Sequence, residues 1–304
     1  MGSEISTFTG DEARERFLAV YDHAMGFWPG PREEQDVETG YGTTRVHRYG
    51  TGDGTPVVLL SGANATPAVW ASCVAAFAAD GHPVLAVERV GEPGRSIQTA
   101  PIRTPEAMAA WLEEVLAGLG ADRVHLVGHS YGAWVALNQA VRAPARIASL
   151  LLVEPVAALS PVKPRFLLGA VVATVMKSDD FRRRWFGRLI GDTGETPDVA
   201  EAQTRVALEA LGGGFRWRLM PPRKMTDEQL RSVTAPTTLV LGERSRAIDC
   251  ARAAARARRC LPHARGVIVP GAGHGLPVSV LNSEVPALVR RAEAAEVREA
   301  AKEA

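Results

Sequence analysis

The chain has 304 residues, of which 46% are hydrophobic and 23% charged, and its formal charge is +1. This is the composition of a soluble globular protein, long enough for one large core or a core carrying an insertion. The near-zero charge gives no electrostatic basis for binding nucleic acid or an anionic membrane, and no apolar run is long enough to span a bilayer.

Cys73, Cys250 and Cys260 are odd in number and lack metal-ligand spacing, the pattern of reduced cysteines in a cytoplasmic protein. Met1 to Thr7 show no basic segment followed by an apolar one, so no secretion signal is expected. From Gly10 to Met25 apolar residues recur at Phe17, Val20, Tyr21 and Ala24, which predicts an amphipathic helix, and Phe-Trp-Pro-Gly-Pro at 27–31 stops it. Residues 43–49 alternate as a strand does, and 50–56 are a glycine-rich turn. Residues 56–60 and 83–88 read as short buried strands, with a helical stretch from 67 to about 80 between them. Arg89 to Ser96 is a glycine-punctuated loop, after which Thr104 and Pro105 open a helix running to Gly118.

Further strands are predicted at 124–128, 147–153, 236–242 and 265–270, the first and third each leading into a helix. A final helix starts near Val278 and runs into a charged tail expected to fray. The alternation predicts an α/β protein with a mostly parallel sheet covered on both faces. It lapses over 156–234, a mostly helical insertion of roughly 80 residues.

One stretch organises the rest. Val124 to Val127 lead into Gly128-His129-Ser130-Tyr131-Gly132, and helix formers follow directly. A strand turning straight into a helix holds its central residue in strained geometry, and flanking glycines remove side chains that would collide. Late in the chain, Gly271-Ala272-Gly273-His274-Gly275 follows the last predicted strand. Together these motifs resemble those of the α/β-hydrolase family, over about residues 40 to 290.

The resemblance implies an α/β-hydrolase core from 1–155 and 235–304, with 156–234 as a helical cap. It implies Ser130 as nucleophile and His274 as base; His129 adjoins Ser130 but points away across a sharp elbow. An oxyanion hole is expected from the amides of Ala63 and Tyr131. Ser61 stands where the family usually has a histidine, and Asn64 is expected to fix the turn. Glu88 and Arg89 read as strand-end charges that pin a loop. The acid is open. The family most often places an aspartate shortly after the strand ending near Gly242, and here Ser245 occupies that place. Glu154 is the first candidate, because some branches take the acid from the preceding strand end. Asp249 is the alternative and Glu243 a third.

A serine with an imidazole base and a carboxylate predicts hydrolysis of a carboxylic ester, thioester or lactone through an acyl-enzyme. The same intermediate could pass its acyl group to an alcohol or amine, or close a ring. A ligand-binding protein on this scaffold is the competing class. No cofactor or metal is expected, since neither a ligand cluster nor a phosphate-binding glycine loop is visible. The partner is then a small-molecule acyl substrate, with a carrier-bound one suggested by the basic runs Arg182–Arg184 and Arg216–Arg218; a solvated helix face is the simpler account of those charges.

Overall fold

The computed structural model describes residues 4–303 except 177, 262 and 276, so the first three residues of the N-terminal stretch lie outside it. β1 (Thr7–Phe8) and α1 (Asp11–Met25) lead into β2 (Arg32–Thr39), β3 (Gly42–Tyr49), β4 (Val57–Leu60), α2 (Val74–Phe77), β5 (Val84–Val87) and β6 (Ile97–Gln98). Next come α3 (Pro105–Gly118), β7 (Val124–His129), α4 (Tyr131–Arg142) and β8 (Ile147–Val153). The insertion carries α5 (Pro164–Val175), α6 (Asp179–Ile190), α7 (Pro197–Leu211), β9 (Phe215–Arg216) and α8 (Asp227–Arg231). Finally β10 (Thr237–Gly242), α9 (Cys250–Cys260), β11 (Ala264–Val269) and α10 (Val278–Glu303) complete the chain.

The central sheet has the order β11-β10-β8-β7-β4-β5-β3-β2, with β6 paired to β3. From β11 to β5 every pairing is parallel; β3–β5, β2–β3 and β3–β6 are antiparallel. Successive strand residues face opposite ways, so each strand feeds two cores. Val58 and Leu60 join Trp111 and Leu112 of α3 and Trp134 and Leu137 of α4. On the other face, Val57 and Leu59 join Phe17 and Tyr21 of α1, Phe77 of α2, and Leu281, Val285 and Leu288 of α10.

Besides the two-residue strands β1, β6 and β9, which no pattern in the sequence marks, three elements differ from expectation. β2 has no sequence signal because it reads Arg-Glu-Glu-Gln-Asp-Val-Glu-Thr, with Val37 its one buried residue. It is an edge strand, where charge discourages further pairing, and Arg45 of β3 holds its Asp36 at 2.6 Å. The helix expected over 67–80 is a 3₁₀ turn (Pro67–Trp70) and the single-turn α2, set by burial of Trp70 and Phe77. The tail remains helical to Glu303.

The N-terminus ties to the insertion. β1 pairs with β9, Phe8 meets Phe215 edge-on at 4.9 Å, and Phe17 and Tyr21 share a core with Ala202, Val206 and Ala210 of α7. Met220, Met225, Leu230 and Val233 instead join the core beside α4. Among the described residues no helix is long and apolar enough to cross a membrane.

Candidate active site

The parallel strands deliver their C-terminal ends to one edge of the sheet, the edge where open α/β sheets bind ligands. Ser130 follows β7 there with φ 54° and ψ −114°, and its amide still donates to Val153 O at 2.8 Å. A Cβ at Gly128 would stand 2.4 Å from Gly132 O, and one at Gly132 only 2.1 Å from Leu60 O. The turn therefore admits nothing larger than glycine at either position. Gly132→Ala is expected to cost about 3 kcal/mol by overpacking against backbone, read as a lower urea midpoint.

Ser130 Oγ lies 2.9 Å from His274 Nε2, and His274 Nδ1 lies 2.8 Å from Glu154 Oε2. Because the carboxylate only accepts, Nδ1 carries the hydrogen and Nε2 is left to accept from the serine. All three residues are buried. His274 is placed by the insertion, since its amide donates to Leu189 O and that of Gly275 to Ile190 O, both at 2.9 Å. The sequence offered no signal for those two carbonyls at the end of α6.

Glu154, at φ 50° beyond β8, has donors on both oxygens. Gly242 N donates to Oε1 at 2.8 Å, and Ser245 Oγ donates to Oε2 beside the His274 contact. Ser245, at the position where the resemblance implies an aspartate, thus serves the carboxylate of the neighbouring strand. The Cys250 thiol stands 3.7 Å from Oε1; burial, then the charge of Glu154, pushes it up to about 11, so it remains a neutral S–H. Cysteine spacing gave no hint of this contact. Asp249 does not join the group: it caps α9, accepting from Arg252 N at 3.0 Å. Glu243 accepts from Gly271 N at 2.9 Å at the surface.

His129 turns away from the hydroxyl and donates from Nε2 to His274 O at 2.7 Å. Burial, then the adjacent His274, pushes its imidazole down to about 3. A group titrating there is neutral throughout pH 5–9, so His129 cannot produce a pH transition in that window. His129→Gln is expected to leave the acid limb of the kcat/KM profile in place while lowering its height by about tenfold through the lost support of His274. Disappearance of that limb would contradict the assignment.

Residues 57–292 match the profile described as the alpha/beta hydrolase family. The chain belongs to the alpha/beta hydrolase family. It is 27% identical over 273 residues to carboxylesterase YbfK of Bacillus subtilis, covering 88% of this chain and 90% of that protein. To a second protein of that organism, named as uncharacterized carboxylesterase nap, it is 26% identical over 283 residues, covering 90% and 89%. Among solved structures, naproxen esterase from Bacillus subtilis superposes with a TM-score of 0.81 at 25% identity, over 92% of this chain and 97% of that one.

In this alpha/beta hydrolase the loop after β4 approaches the elbow closely: a Cβ on Gly62 would lie 3.2 Å from Ser130 Cβ. Ala63 follows it, and Tyr131 begins α4, where the first amides of a helix lack intrahelical acceptors. Ser61 closes the loop, its hydroxyl donating to Thr66 O at 3.2 Å and accepting from Trp70 Nε1 at 3.0 Å. Asn64 sits at φ 60° with its amide 3.2 Å from Glu92 Oε2. Arg89 pairs with that Glu92 and lies over the Tyr131 ring at 4.3 Å. Glu88 accepts the amides of Arg95 and Ser96 at 2.7 and 3.0 Å. Burial raises its pKa, but the hydrogen bond and charge of His47, with Tyr21 and Ser96, outweigh this and hold it below the usual range.

The described residues also contain one set of side chains suited to a cation, His82, His125 and Glu293, with ligand atoms within 4.8 Å of one another. His125 is the second residue of β7, so this set lies at the opposite end of the sheet, roughly 16 Å along the strand from Ser130. The three are far apart in sequence, which hides them from any spacing rule.

Proposed function

We propose that this hydrolase is a serine carboxylesterase, with Ser130 as nucleophile, His274 as general base and Glu154 as the acid. The observation that carries this reading is the unbroken chain of hydrogen bonds from Ser130 to His274 to Glu154, at 2.9 and 2.8 Å. Two carboxylesterases among its relatives support an ester as the scissile bond.

Attack by Oγ on the ester carbonyl passes the serine proton to Nε2, while Glu154 keeps Nδ1–H oriented and balances the imidazolium. The amides of Tyr131 and Ala63 take up the developing oxyanion, with the positive end of α4 behind the first. Collapse expels the alcohol, which receives its proton from Nε2. Water, deprotonated by the same nitrogen, then hydrolyses the acyl-enzyme and frees the acid. A thioester or lactone would follow the same steps. We read residues 156–234 as the cap over this centre, because α6 supplies the carbonyls that seat His274.

A fluorophosphonate probe tests the reading. It should label the protein once, on the peptide containing Ser130, and p-nitrophenyl butyrate should release p-nitrophenol with first-turnover burst kinetics. An unlabelled protein without ester turnover would overturn it.

A further inference from the structure

The insertion and the loop after β10 gather cations at a cavity of about 690 Å³, within the usual size range of small-molecule sites. Lys163, Arg165, Arg184, Arg188 and Arg246 line it, and Phe166, Phe181 and Trp185 provide apolar walls. This cavity shares structure with the reacting groups. The Phe166 ring is 6.1 Å from that of His274, and Ser245, a lining residue, bonds Glu154. Leu189, also in the wall, accepts the His274 amide.

The charges here are not balanced as they are elsewhere on the same helix. Arg182 pairs with Asp179 at 3.3 Å and Arg183 with Glu201 at 2.7 Å. Arg165, Arg184, Arg188 and Arg246 form no ion pair with a described residue, and Lys163 donates to Ser245 O at 2.7 Å. Glu154, bonded to the lining residue Ser245, has its oxygens taken by His274, Ser245 and Gly242. The four arginine guanidiniums are exposed around one opening, where solvent weakens the repulsion between like charges without abolishing it. An anion relieves that repulsion and gains charge-assisted hydrogen bonds from guanidinium forks, while aromatic walls take an apolar body.

We infer that this cavity holds the anionic part of the substrate, so that the enzyme selects esters bearing a carboxylate on an aromatic or apolar body. The inference rests on the esterase reading and narrows it. It splits the basic run 182–184: Arg184 faces substrate, whereas its two neighbours are structural.

The test has a binding arm that needs no catalysis. Calorimetry on the Ser130→Ala protein should show 2-naphthoate binding about tenfold tighter than 2-naphthylmethanol, with the preference lost in Arg184→Gln/Arg188→Gln and weakened by salt. In the active enzyme, kcat/KM for p-nitrophenyl hydrogen glutarate should exceed that for its neutral methyl ester by about tenfold. That ratio should fall toward one in the double variant and stay unchanged in Arg183→Gln. Equal binding of acid and alcohol, or a ratio near one in the wild type, would overturn the inference. Arginine-dependent naphthoate binding without any ester turnover would instead overturn the esterase reading and leave the carboxylate site standing.

Discussion

Ser130→Ala is expected to lower kcat toward a p-nitrophenyl ester by about 10⁶-fold, with no more than a small change in Tm. The loss is large because nothing else at the elbow can attack. The neighbouring His129 points to a backbone carbonyl, and the next residue, Tyr131, spends its hydroxyl on Met220 O at 2.7 Å. What survives is the binding site and the backbone donors, worth about 10³-fold over the reaction in water. Stability should hold because alanine keeps the Cβ, so the left-handed backbone at φ 54° is no more strained than before. Steady-state kinetics and a thermal melt of the same preparation check both halves. Residual activity above about 1% would exclude Ser130 as the nucleophile.

Glu154→Gln should follow at about 10⁴-fold in kcat, while Asp249→Asn leaves kcat within about twofold. An amide fills the same volume but cannot accept from His274, Ser245 and Gly242 together, so one of these donors loses its partner and the imidazolium its counter-charge. Asp249 offers a sharp control, since its carboxylate caps α9 and asparagine caps a helix about as well as aspartate. Asp249→Ala should cost about 1 kcal/mol of stability, again with kcat retained. The opposite ranking in steady-state kinetics would move the acid to the far end of the β10 loop.

How much was legible varied with how local each feature is. The elbow was readable from its paired glycines, although only one of the two requirements is local: a Cβ at Gly128 would meet the first turn of α4, whereas one at Gly132 would meet the backbone at the end of β4. The buried strands from β4 onward were readable because continuous apolar runs of strand length have few other uses. β2 was not, since an edge strand with a single buried residue, Val37, carries no apolar period. Nor was the one-turn character of α2, whose limits are set by the packing of Trp70 and Phe77.

The choice among Glu154, Asp249 and Glu243 depended on distances between residues that are remote in the chain. Glu154 lies at the end of β8, and β10 runs parallel beside it, with Val153 opposite Val240. That register carries Gly242 N and the Ser245 hydroxyl to the Glu154 carboxylate, and no spacing rule contains it. The same holds for the arginines of α6, alike in sequence, of which Arg182 and Arg183 find carboxylates and Arg184 turns to a cavity. On its own the sequence determined the architecture, through periodicity within each element, and its two short motifs marked Ser130 and His274 as candidates by their resemblance to the family. Only the tertiary structure decided which carboxylate meets the imidazole, what supports it and which arginines line the cavity. Those outcomes depend on strand register and helix docking, through which residues far apart in the chain come within hydrogen-bonding reach.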